Sequence, residues 1–155
     1  MTSIRRMTIA DVTDVRGLLT QLDYEMDARE VARRHEAVAR AEDHAALVAE
    51  QGGRVVALLH VYARPAFDKP PEAIVQALVV DRSCRGGGVG KAMMAAAEAW
   101  AAERGFASVA LASHVSRPDA HAFYQAIGYR LAATSLLLRK ELPQMNISAQ
   151  THPDI

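Results

Sequence analysis

A strand-like segment, a glycine-rich turn and a long helical segment follow one another in the middle of this 155-residue chain. The segment Ile74–Val80 is almost entirely apolar, as expected for a buried strand. Glycines occupy positions 86 to 88 and 90, and the alanine-rich stretch Gly88–Glu103 is typical of a helix. Glycine lets the backbone approach a ligand closely because it has no Cβ, and a helix start presents unpaired N–H groups. The sequence therefore predicts a strand–turn–helix unit that binds a phosphate or pyrophosphate.

Two common phosphate-binding motifs do not fit this turn. A Walker A loop needs Gly, four residues and then Gly-Lys-Ser/Thr, but Arg85 stands at the first glycine position and Ala92 follows Lys91. A dinucleotide-binding turn would need a glycine where Lys91 stands. The pattern that does fit is Arg/Gln-x-x-Gly-x-Gly/Ala, which is matched by Arg85, Gly88 and Gly90.

That pattern resembles the pyrophosphate loop of the GCN5-related N-acetyltransferase (GNAT) superfamily. A later stretch, from Ala120 through Phe123-Tyr124 to Gly128-Tyr129, resembles the same family's Ala-x-x-Phe-Tyr-x-x-x-Gly-Phe/Tyr element. The order of strand, loop, helix, strand and short helix also agrees, and the resemblance runs from about residue 4 to residue 142. It implies an acetyl-coenzyme A-dependent N-acetyltransferase that acts on a primary amine of a small molecule.

The resemblance implies a mixed α/β fold, in which a mostly antiparallel, splayed sheet of about six to seven strands is flanked by about four helices. Periodicity and turn residues predict strands at 3–8, 45–50, 54–62, 74–80, 108–113, 129–131 and 134–139, and helices after Asp11 or Thr8 and at 28–41, 88–103 and 118–126. We expect a single domain over residues 1–142 and a flexible tail over residues 143–155.

The cofactor is expected to lie along the strand, the loop and the second motif. The resemblance implies contacts from Leu78, Val79, Val80, Arg85, Gly86, Gly87, Gly88, Val89, Gly90, Lys91, Arg117, Ala120 and Tyr124. Main-chain N–H groups would hold the pyrophosphate. Two alternatives stay open: Arg85 either contacts the phosphate or packs across the loop, and Arg117 either contacts the cofactor or only precedes the helix.

Tyr124 and Gln76 are the candidate catalytic residues. A phenol with a pKa of about 10 can protonate a departing thiolate, whose own pKa is about 8.5 for a cysteine-like thiol. Many relatives carry a glutamate where this chain has Gln76, and a glutamine can orient a water or a substrate but cannot take a proton. Glu72 is the nearest carboxylate along the strand, so the general base stays unassigned.

The acceptor site is the least determined part. In the family, the first two helices and their connection frame the acceptor pocket, so Tyr24 and Glu25 are candidate substrate-binding residues together with Gln76. A solvated helix connection is the alternative interpretation of Tyr24 and Glu25. His60 and His114 are expected to be structural. The rival functions are acetylation of a protein or peptide amine, a catalytically silent coenzyme A-binding module or sensor, and an unrelated phosphate- or nucleotide-binding protein that only the glycine loop supports.

The composition of the chain limits which partners and which cellular compartment we expect for it. The formal net charge is zero, which gives no reason to expect nucleic acid or an acidic membrane as a partner. The single cysteine, Cys84, excludes an internal disulfide and suits a reducing compartment, and no metal-ligand pattern is visible. No apolar run is long enough for a transmembrane helix. We expect a cytoplasmic protein, with a homodimer suggested by the family alone.

Overall fold

A computed structural model of the chain describes residues 1–144, which form one five-stranded sheet and four α-helices. The strands are β1 (Thr2–Arg6), β2 (His44–Gln51), β3 (Arg54–Arg64), β4 (Glu72–Val80) and β5 (Val109–Leu111). The helices are α1 (Val12–Thr20), α2 (Ala28–Arg40), α3 (Val89–Glu103) and α4 (Pro118–Ala126). No helix among these residues is long and apolar enough to cross a membrane.

The strands lie in the order in which they occur along the chain. The pairs β1–β2, β2–β3 and β3–β4 are antiparallel, whereas β4 and β5 are parallel and joined through α3. Gly52 and Gly53 both have positive φ angles in the turn between β2 and β3, which only glycine adopts without strain. The sheet is therefore mostly antiparallel, as predicted.

Two apolar clusters cover the two faces of the sheet. On one face, Met93, Met94 and Trp100 of α3 pack against alternate strand residues such as Leu59 and Val75. On the other face, α1 and α2 pack through an apolar cluster formed by Val15, Leu18, Val31, Val48, Leu58 and Val79. Because successive strand residues point to opposite faces, the near-continuous apolar sequences of β3 and β4 supply both clusters.

An ion pair fixes the first strand to the turn that precedes α1. Arg5 donates two hydrogen bonds to the Asp11 carboxylate, at 2.8 and 2.9 Å, and the backbone N–H of Thr8 donates a third at 2.8 Å. The Asp11 side chain is only 7% exposed. These bonds favour the ionised form, and the pKa of Asp11 lies below its usual value, chiefly because of Arg5.

The last two predicted strands are wrong. Residues 129–131 and 134–139 form no strand, so the described part of the chain has five strands rather than the six or seven expected. The apolar run Leu136–Leu138 is present, but a strand also needs a partner, and no backbone hydrogen bond joins residues 130–142 to the other described residues. β5 is also shorter than predicted, spanning Val109–Leu111.

The other predicted elements are confirmed with shifts of a few residues at their ends. α4 spans the predicted residues, and Gly128 follows it with a φ of 101°, as expected for a glycine that ends a helix. Of the predicted tail, residues 145–155 lie outside the described residues. The single domain over residues 1–142 stays a prediction.

Candidate active site

The pairing between β4 and β5 ends halfway along β4. Only Ala73–Val75 pair with Val109–Leu111, whereas the pairing of β4 with β3 continues as far as Val80. From residue 76 to residue 80, the edge of β4 that faces away from β3 has no neighbouring strand among the described residues. Its outward backbone N–H and C=O groups can therefore bond to a ligand, and the sheet is splayed as predicted.

Gln76 lies where this opening begins. The pairing of β3 with β4 is irregular between His60 and Val61, and Gln76 is the extra residue on β4. Val75 and Leu78 both pack on the α3 side although they are three residues apart, so the residues between them share the opposite face. The bulge therefore places exposed Gln76 on the face of the sheet that carries His60.

The loop after β4 is shaped by side-chain bonds and by glycine conformations. Asp81 accepts hydrogen bonds from the backbone N–H and the hydroxyl of Ser83, both at 2.9 Å, and these bonds lower the pKa of Asp81. Gly86 and Gly88 have φ angles of 85° and 84°, and a Cβ at either position would meet nothing within 4 Å. The loop is thus held at its start, open towards solvent at its glycines, and followed at once by α3.

The start of α3 supplies the donors that the sequence predicted. Val89 begins the helix, and the first helical bond in this turn runs from the N–H of Ala92 to the carbonyl of Gly88. The N–H groups of Val89, Gly90 and Lys91 therefore have no helical acceptor and point out of the helix end. An anion placed there would also meet the positive end of the helix dipole.

Arg85 contacts the strand. Its Nε donates to the carbonyl oxygen of Val80 at 3.3 Å, so the side chain ties the loop back to the end of β4. This contact favours the alternative in which Arg85 packs across the loop. Lys91 is exposed on the first turn of α3.

Tyr124 projects from α4 into an aromatic group. Its ring is 5.0 Å from that of Phe123 and 6.0 Å from that of Tyr129, centroid to centroid, in edge-to-face arrangements. Burial raises the pKa of Tyr124 above its usual value, and the positive charge of Arg117 partly opposes this shift. The phenol is therefore protonated at neutral pH and can donate a proton.

Arg117 and Ala120 frame the start of the helix that carries Tyr124. Arg117 immediately precedes Pro118, and its charge acts on the Tyr124 phenol across the first turns of α4. Ala120 lies four residues before Tyr124, on the same face of the helix. The second sequence motif thus brings Arg117, Ala120 and Tyr124 together on one side of α4.

His60, which the sequence predicts to be structural, forms a pair with His44 next to the bulge at Gln76. His44 Nδ1 and His60 Nε2 are 3.0 Å apart across β2 and β3, and the ring of Tyr62 stacks on His44 at 5.0 Å. His60 stands opposite Ala77, next to the bulge. Burial, and then the nearby His44, lower the pKa of His60, which keeps it neutral at pH 7.

Glu72, the other candidate for the general base, is bonded to Arg64 and Ser108. It pairs with Arg64, and its other carboxylate oxygen accepts a hydrogen bond from Ser108 at 3.0 Å. It also lies four strand residues before Gln76, a distance of about 13 Å. Glu72 therefore braces the far end of β4 and does not serve the opening.

Tyr24 and Glu25 are exposed on the connection between α1 and α2. Neither side chain makes a hydrogen bond or an ion pair with another described residue. The end of α1 does approach the glycine loop, since Gln21 accepts a hydrogen bond from the backbone N–H of Arg82 at 3.0 Å. The role of Tyr24 and Glu25 in acceptor binding stays a prediction.

A comparison with models of known protein families gives a match over residues 12–129, to the acetyltransferase (GNAT) family. That range includes the glycine loop, the opening between β4 and β5, and Tyr124. The chain belongs to the GNAT family of acetyltransferases. Membership confirms the predicted fold class and N-acetyltransferase class, with acetyl-coenzyme A as the cofactor.

Individual relatives agree with this assignment. An uncharacterized N-acetyltransferase of Bacillus subtilis, YhdJ, is 29% identical over 124 residues, which are 79% of this chain and 86% of that protein. The mouse N-alpha-acetyltransferase 80 is 35% identical over 80 residues, but they make up only 24% of its length.

Solved structures show the same fold. The aminoglycoside N-acetyltransferase AAC(6')-Iy in complex with CoA superimposes with a TM-score of 0.83 and 22% identity, over 92% of this chain and 96% of that one. A putative acetyltransferase from Agrobacterium tumefaciens gives a TM-score of 0.80 at 24% identity, over 89% of this chain and 99% of that one.

Proposed function

We propose that this protein transfers an acetyl group directly from acetyl-coenzyme A to a primary amine of a small molecule. The observation that carries the proposal is the opening between β4 and β5. It has phosphate-binding geometry at the α3 end and the protonated phenol of Tyr124 on the neighbouring helix. Cys84 contacts Ser83 and Gln51 rather than a base, and the hydrogen-bonded pair Ser116–His114 is exposed on the loop before α4, so we propose direct transfer rather than transfer through an acyl-enzyme.

The residues of the opening suit coenzyme A. The backbone of Leu78, Val79 and Val80 runs along the unpaired edge of β4, where it can bond the amide groups of the pantetheine arm. The N–H groups between Gly86 and Lys91 would hold the pyrophosphate, with open space above the glycines. When bound there, the cofactor supplies an activated thioester.

Tyr124 protonates the departing thiolate sulfur. Burial keeps its proton in place at neutral pH, and the proton moves to the sulfur as the C–S bond breaks. Because the phenol is a weaker acid than the thiol, the phenolate that remains takes a proton back from solvent to complete the cycle. The positive charge of Arg117, which favours the ionised phenol, would stabilise negative charge that develops on Tyr124. Gln76 orients the attacking amine through its side-chain amide.

His60 takes the proton that the acceptor amine loses. Gln76 and His60 share a face of the sheet at the bulge, and Gln76 itself has no basic atom. When His60 Nε2 donates to His44 Nδ1, the Nδ1 atom of His60 is free to accept a proton. The resulting positive charge is then shared with His44 by their hydrogen bond. This assignment replaces the glutamate that the sequence lacks.

The proposed acceptor is cationic. Asp23, Tyr24, Glu25 and Asp27 lie on the α1–α2 connection, and acidic and aromatic groups attract an ammonium ion. Among the fold's solved neighbours is an aminoglycoside N-acetyltransferase crystallised with a bisubstrate analogue of coenzyme A and acetylneamine. A small polyamine or amino sugar is therefore the first class of acceptor to test, in the reducing cytoplasm that suits the unpaired Cys84.

A protein or peptide amine is the second candidate. The observation that favours it is the 35% identity with the mouse N-alpha-acetyltransferase 80 over 80 residues. A peptide with an unblocked N-terminus must therefore be included among the acceptors. A coenzyme A-binding sensor is the third candidate, and it predicts binding without turnover.

Binding and turnover are tested together. Thermal unfolding is measured with and without acetyl-coenzyme A, and coenzyme A release is then followed with aminoglycosides, polyamines and a free peptide. A ligand at a hundred times its dissociation constant adds about 2.7 kcal/mol to the free energy of unfolding. A raised midpoint together with release in the presence of one amine supports the proposal. A raised midpoint without release from any amine supports the sensor, and no shift at saturation contradicts the proposed cofactor site.

Gly87 offers the matched variant pair for this measurement. Its φ lies outside the left-handed region, and the nearest atom to an added Cβ is the carbonyl oxygen of Cys84 at 3.5 Å. Gly87→Ala should fold and keep the midpoint shift. Gly87→Glu should fold equally well but lose the shift, because its carboxylate would stand among the donors meant for the pyrophosphate.

A further inference from the structure

One row of half-buried side chains crosses the sheet on the face that carries α1 and α2. We call it the cross-strand row. It consists of His44, Tyr62, Ile74 and Ala110, which are direct neighbours across β2, β3, β4 and β5. The residues on either side of Ile74 and of Ala110 pack on the α3 face, so these two side chains point to the opposite face.

The helices cover only part of this face. α1 and α2 pack on residues nearer the glycine loop, such as Leu58 and Val79. Neither apolar cluster of the described residues includes Tyr62, Ile74 or Ala110. Ligand pockets are lined mainly by aromatic and apolar side chains that no other part of the protein covers. The cross-strand row has that composition.

The rings of His44 and Tyr62 form the first two layers of a stack. Their centroids are 5.0 Å apart and their planes differ by only 11°. His44 belongs to β2, whereas Ile74 belongs to β4 on the other side of β3, so the opposite face of the Tyr62 ring is turned towards Ile74. A further ring over Ile74 would continue the stack, within the roughly 4.5 to 7 Å that aromatic pairs prefer.

The cross-strand row adjoins the proposed reaction centre. The pairing of β4 with β5 includes Ile74 and ends one residue later, directly before Gln76. The ring of His60, the proposed proton acceptor, lies 5.9 Å from that of Tyr62. Two residues of β4 separate Ile74 from Gln76, which is about 7 Å in a strand. An amine carried on a short spacer from a ring over Ile74 therefore reaches both Gln76 and His60.

We propose that the acceptor is a primary amine that carries an aromatic ring, and that this ring stacks on Tyr62 over Ile74 and Ala110. This assignment rests on the proposed function, since it names the occupant of the proposed acceptor site. The aliphatic part of the row favours an aromatic ring, because Ile74 and Ala110 offer no hydrogen-bond partner. A sugar ring would bury hydroxyl groups there, and a linear polyamine would bury a charge.

The first test compares acceptors on the wild-type protein. Coenzyme A release is measured with 2-phenylethylamine, n-hexylamine, glucosamine and putrescine. The matched acceptor is n-hexylamine, which has an apolar chain but no ring. One aromatic pair should make kcat/KM for 2-phenylethylamine about twofold to tenfold higher than for n-hexylamine. Equal or higher values for n-hexylamine, glucosamine or putrescine would overturn the assignment.

The second test changes Tyr62. Tyr62→Leu keeps an apolar side chain but removes the ring, whereas Tyr62→Phe keeps the ring and is the matched variant. The ratio of kcat/KM for 2-phenylethylamine to that for n-hexylamine should fall to about one in Tyr62→Leu and stay at the wild-type value in Tyr62→Phe. A substitution that only disturbed His44 and His60 would slow both amines equally, and an unchanged ratio in Tyr62→Leu would overturn the stack.

Binding without turnover separates the ring site from the reaction. The protein is saturated with coenzyme A, which has no acetyl group to transfer, and the Kd of 2-phenylethylamine is measured by NMR titration. The Kd should be about twofold to tenfold weaker in Tyr62→Leu than in wild type and in Tyr62→Phe. If this holds but no amine releases coenzyme A, the proposed reaction fails while the ring site stands. If linear amines are acetylated and the Kd does not depend on Tyr62, the reaction stands and the ring site is overturned.

Discussion

The ring of Phe123 lies against Gly90 so closely that a Cβ on Gly90 would stand 3.1 Å from the ring's Cζ atom. Gly90 belongs to the first turn of α3, whose N–H groups face the proposed pyrophosphate site, and Phe123 precedes Tyr124 on α4. The absent side chain thus sets the distance between α3, which we propose holds the cofactor, and α4, which carries the proposed proton donor. The glycine in this part of the loop motif is required for packing.

Gly90→Ala should disturb catalysis more than folding. The alanine methyl group would push Phe123 by a few tenths of an ångström and carry Tyr124 with it, so we expect kcat to fall by about tenfold. Steady-state kinetics with an amine that releases coenzyme A in the proposed acceptor screen gives the measurement. The double variant Gly90→Ala with Phe123→Leu should regain part of the lost kcat, because the smaller leucine side chain leaves room for the alanine methyl group.

Gly17→Ala is the matched control for this change. Gly17 is also a helical glycine, on the exposed face of α1, but an added Cβ there meets nothing within 4 Å. It should raise the free energy of unfolding by up to about 1 kcal/mol and leave kcat unchanged. An equal loss of kcat in both variants would show that the Phe123 contact is not the cause.

Gly88→Ala should destabilise the protein through the backbone alone. Gly88 has a φ of 84°, which costs a residue with a Cβ about 1 to 2 kcal/mol, although nothing would clash with that Cβ. Urea unfolding should show this loss for Gly88→Ala and little change for Gly87→Ala, whose φ lies outside the left-handed region. Equal stability of the two variants would mean that the loop relaxes without strain.

Tyr124→Phe should abolish proton donation and preserve binding. Removing a general acid typically lowers the rate by about 10² to 10⁴, so kcat should fall by that range while acetyl-coenzyme A still raises the unfolding midpoint. Because burial raises the pKa of Tyr124, the wild type should not lose activity through this group until the pH passes 10. A variant with wild-type kcat would exclude Tyr124 as the acid.

The central part of the fold could be predicted because its signals are local. The strand, loop, helix and α4 depend on apolar runs, on glycines with positive φ and on a proline at a helix start, and all of these can be found in the sequence. Residues 130–142 show the limit of that reasoning. The apolar run Leu136–Leu138 is typical of a buried strand, but a strand forms only with a partner, and a single sequence does not say where the partner is.

The candidate site was predictable to the same degree. Motif spacing identified the loop and Tyr124, whereas the pairing of His44 with His60 depends on register across β2 and β3. The position of Gln76 depends on a β-bulge, and the residue types around it do not predict a bulge at this position. The sequence alone therefore predicts a structural role for His60, because it shows neither the pairing with His44 nor the position of Gln76.

Asp11 should be a large contributor to stability at neutral pH. Asp11→Ala leaves Arg5 and the N–H of Thr8 without their acceptor, so we expect the free energy of unfolding to fall by about 2 kcal/mol. The folded-state pKa of Asp11 is lowered, so its contribution is complete above the ordinary aspartate pKa of about 3.9 and is lost as the pH falls through the folded value. The stability difference between wild type and variant, measured by urea unfolding, should therefore shrink below pH 4. A difference that is constant with pH would assign the effect to packing.

His60→Asn tests the proposed proton acceptor by two independent measurements. The variant keeps a side chain of similar size and polarity but has no titrating nitrogen, so kcat should fall by about 10² to 10⁴ at neutral pH.

His44 on β2 and Tyr62 on β3 are the titratable groups around His60, and Gln76 and Ala77 of β4 bring no charge. Since burial lowers the pKa of His60, the unfolded chain binds a proton there first as the pH drops below about 6.5, and the wild type loses stability over that range. Urea unfolding at pH 7.5 and at pH 5.5 should show a smaller loss in the variant, whereas the exposed His114→Asn control should behave as wild type in both measurements. If His60→Asn reduces the loss of stability but keeps wild-type kcat, His60 is a buried neutral histidine without a part in the reaction.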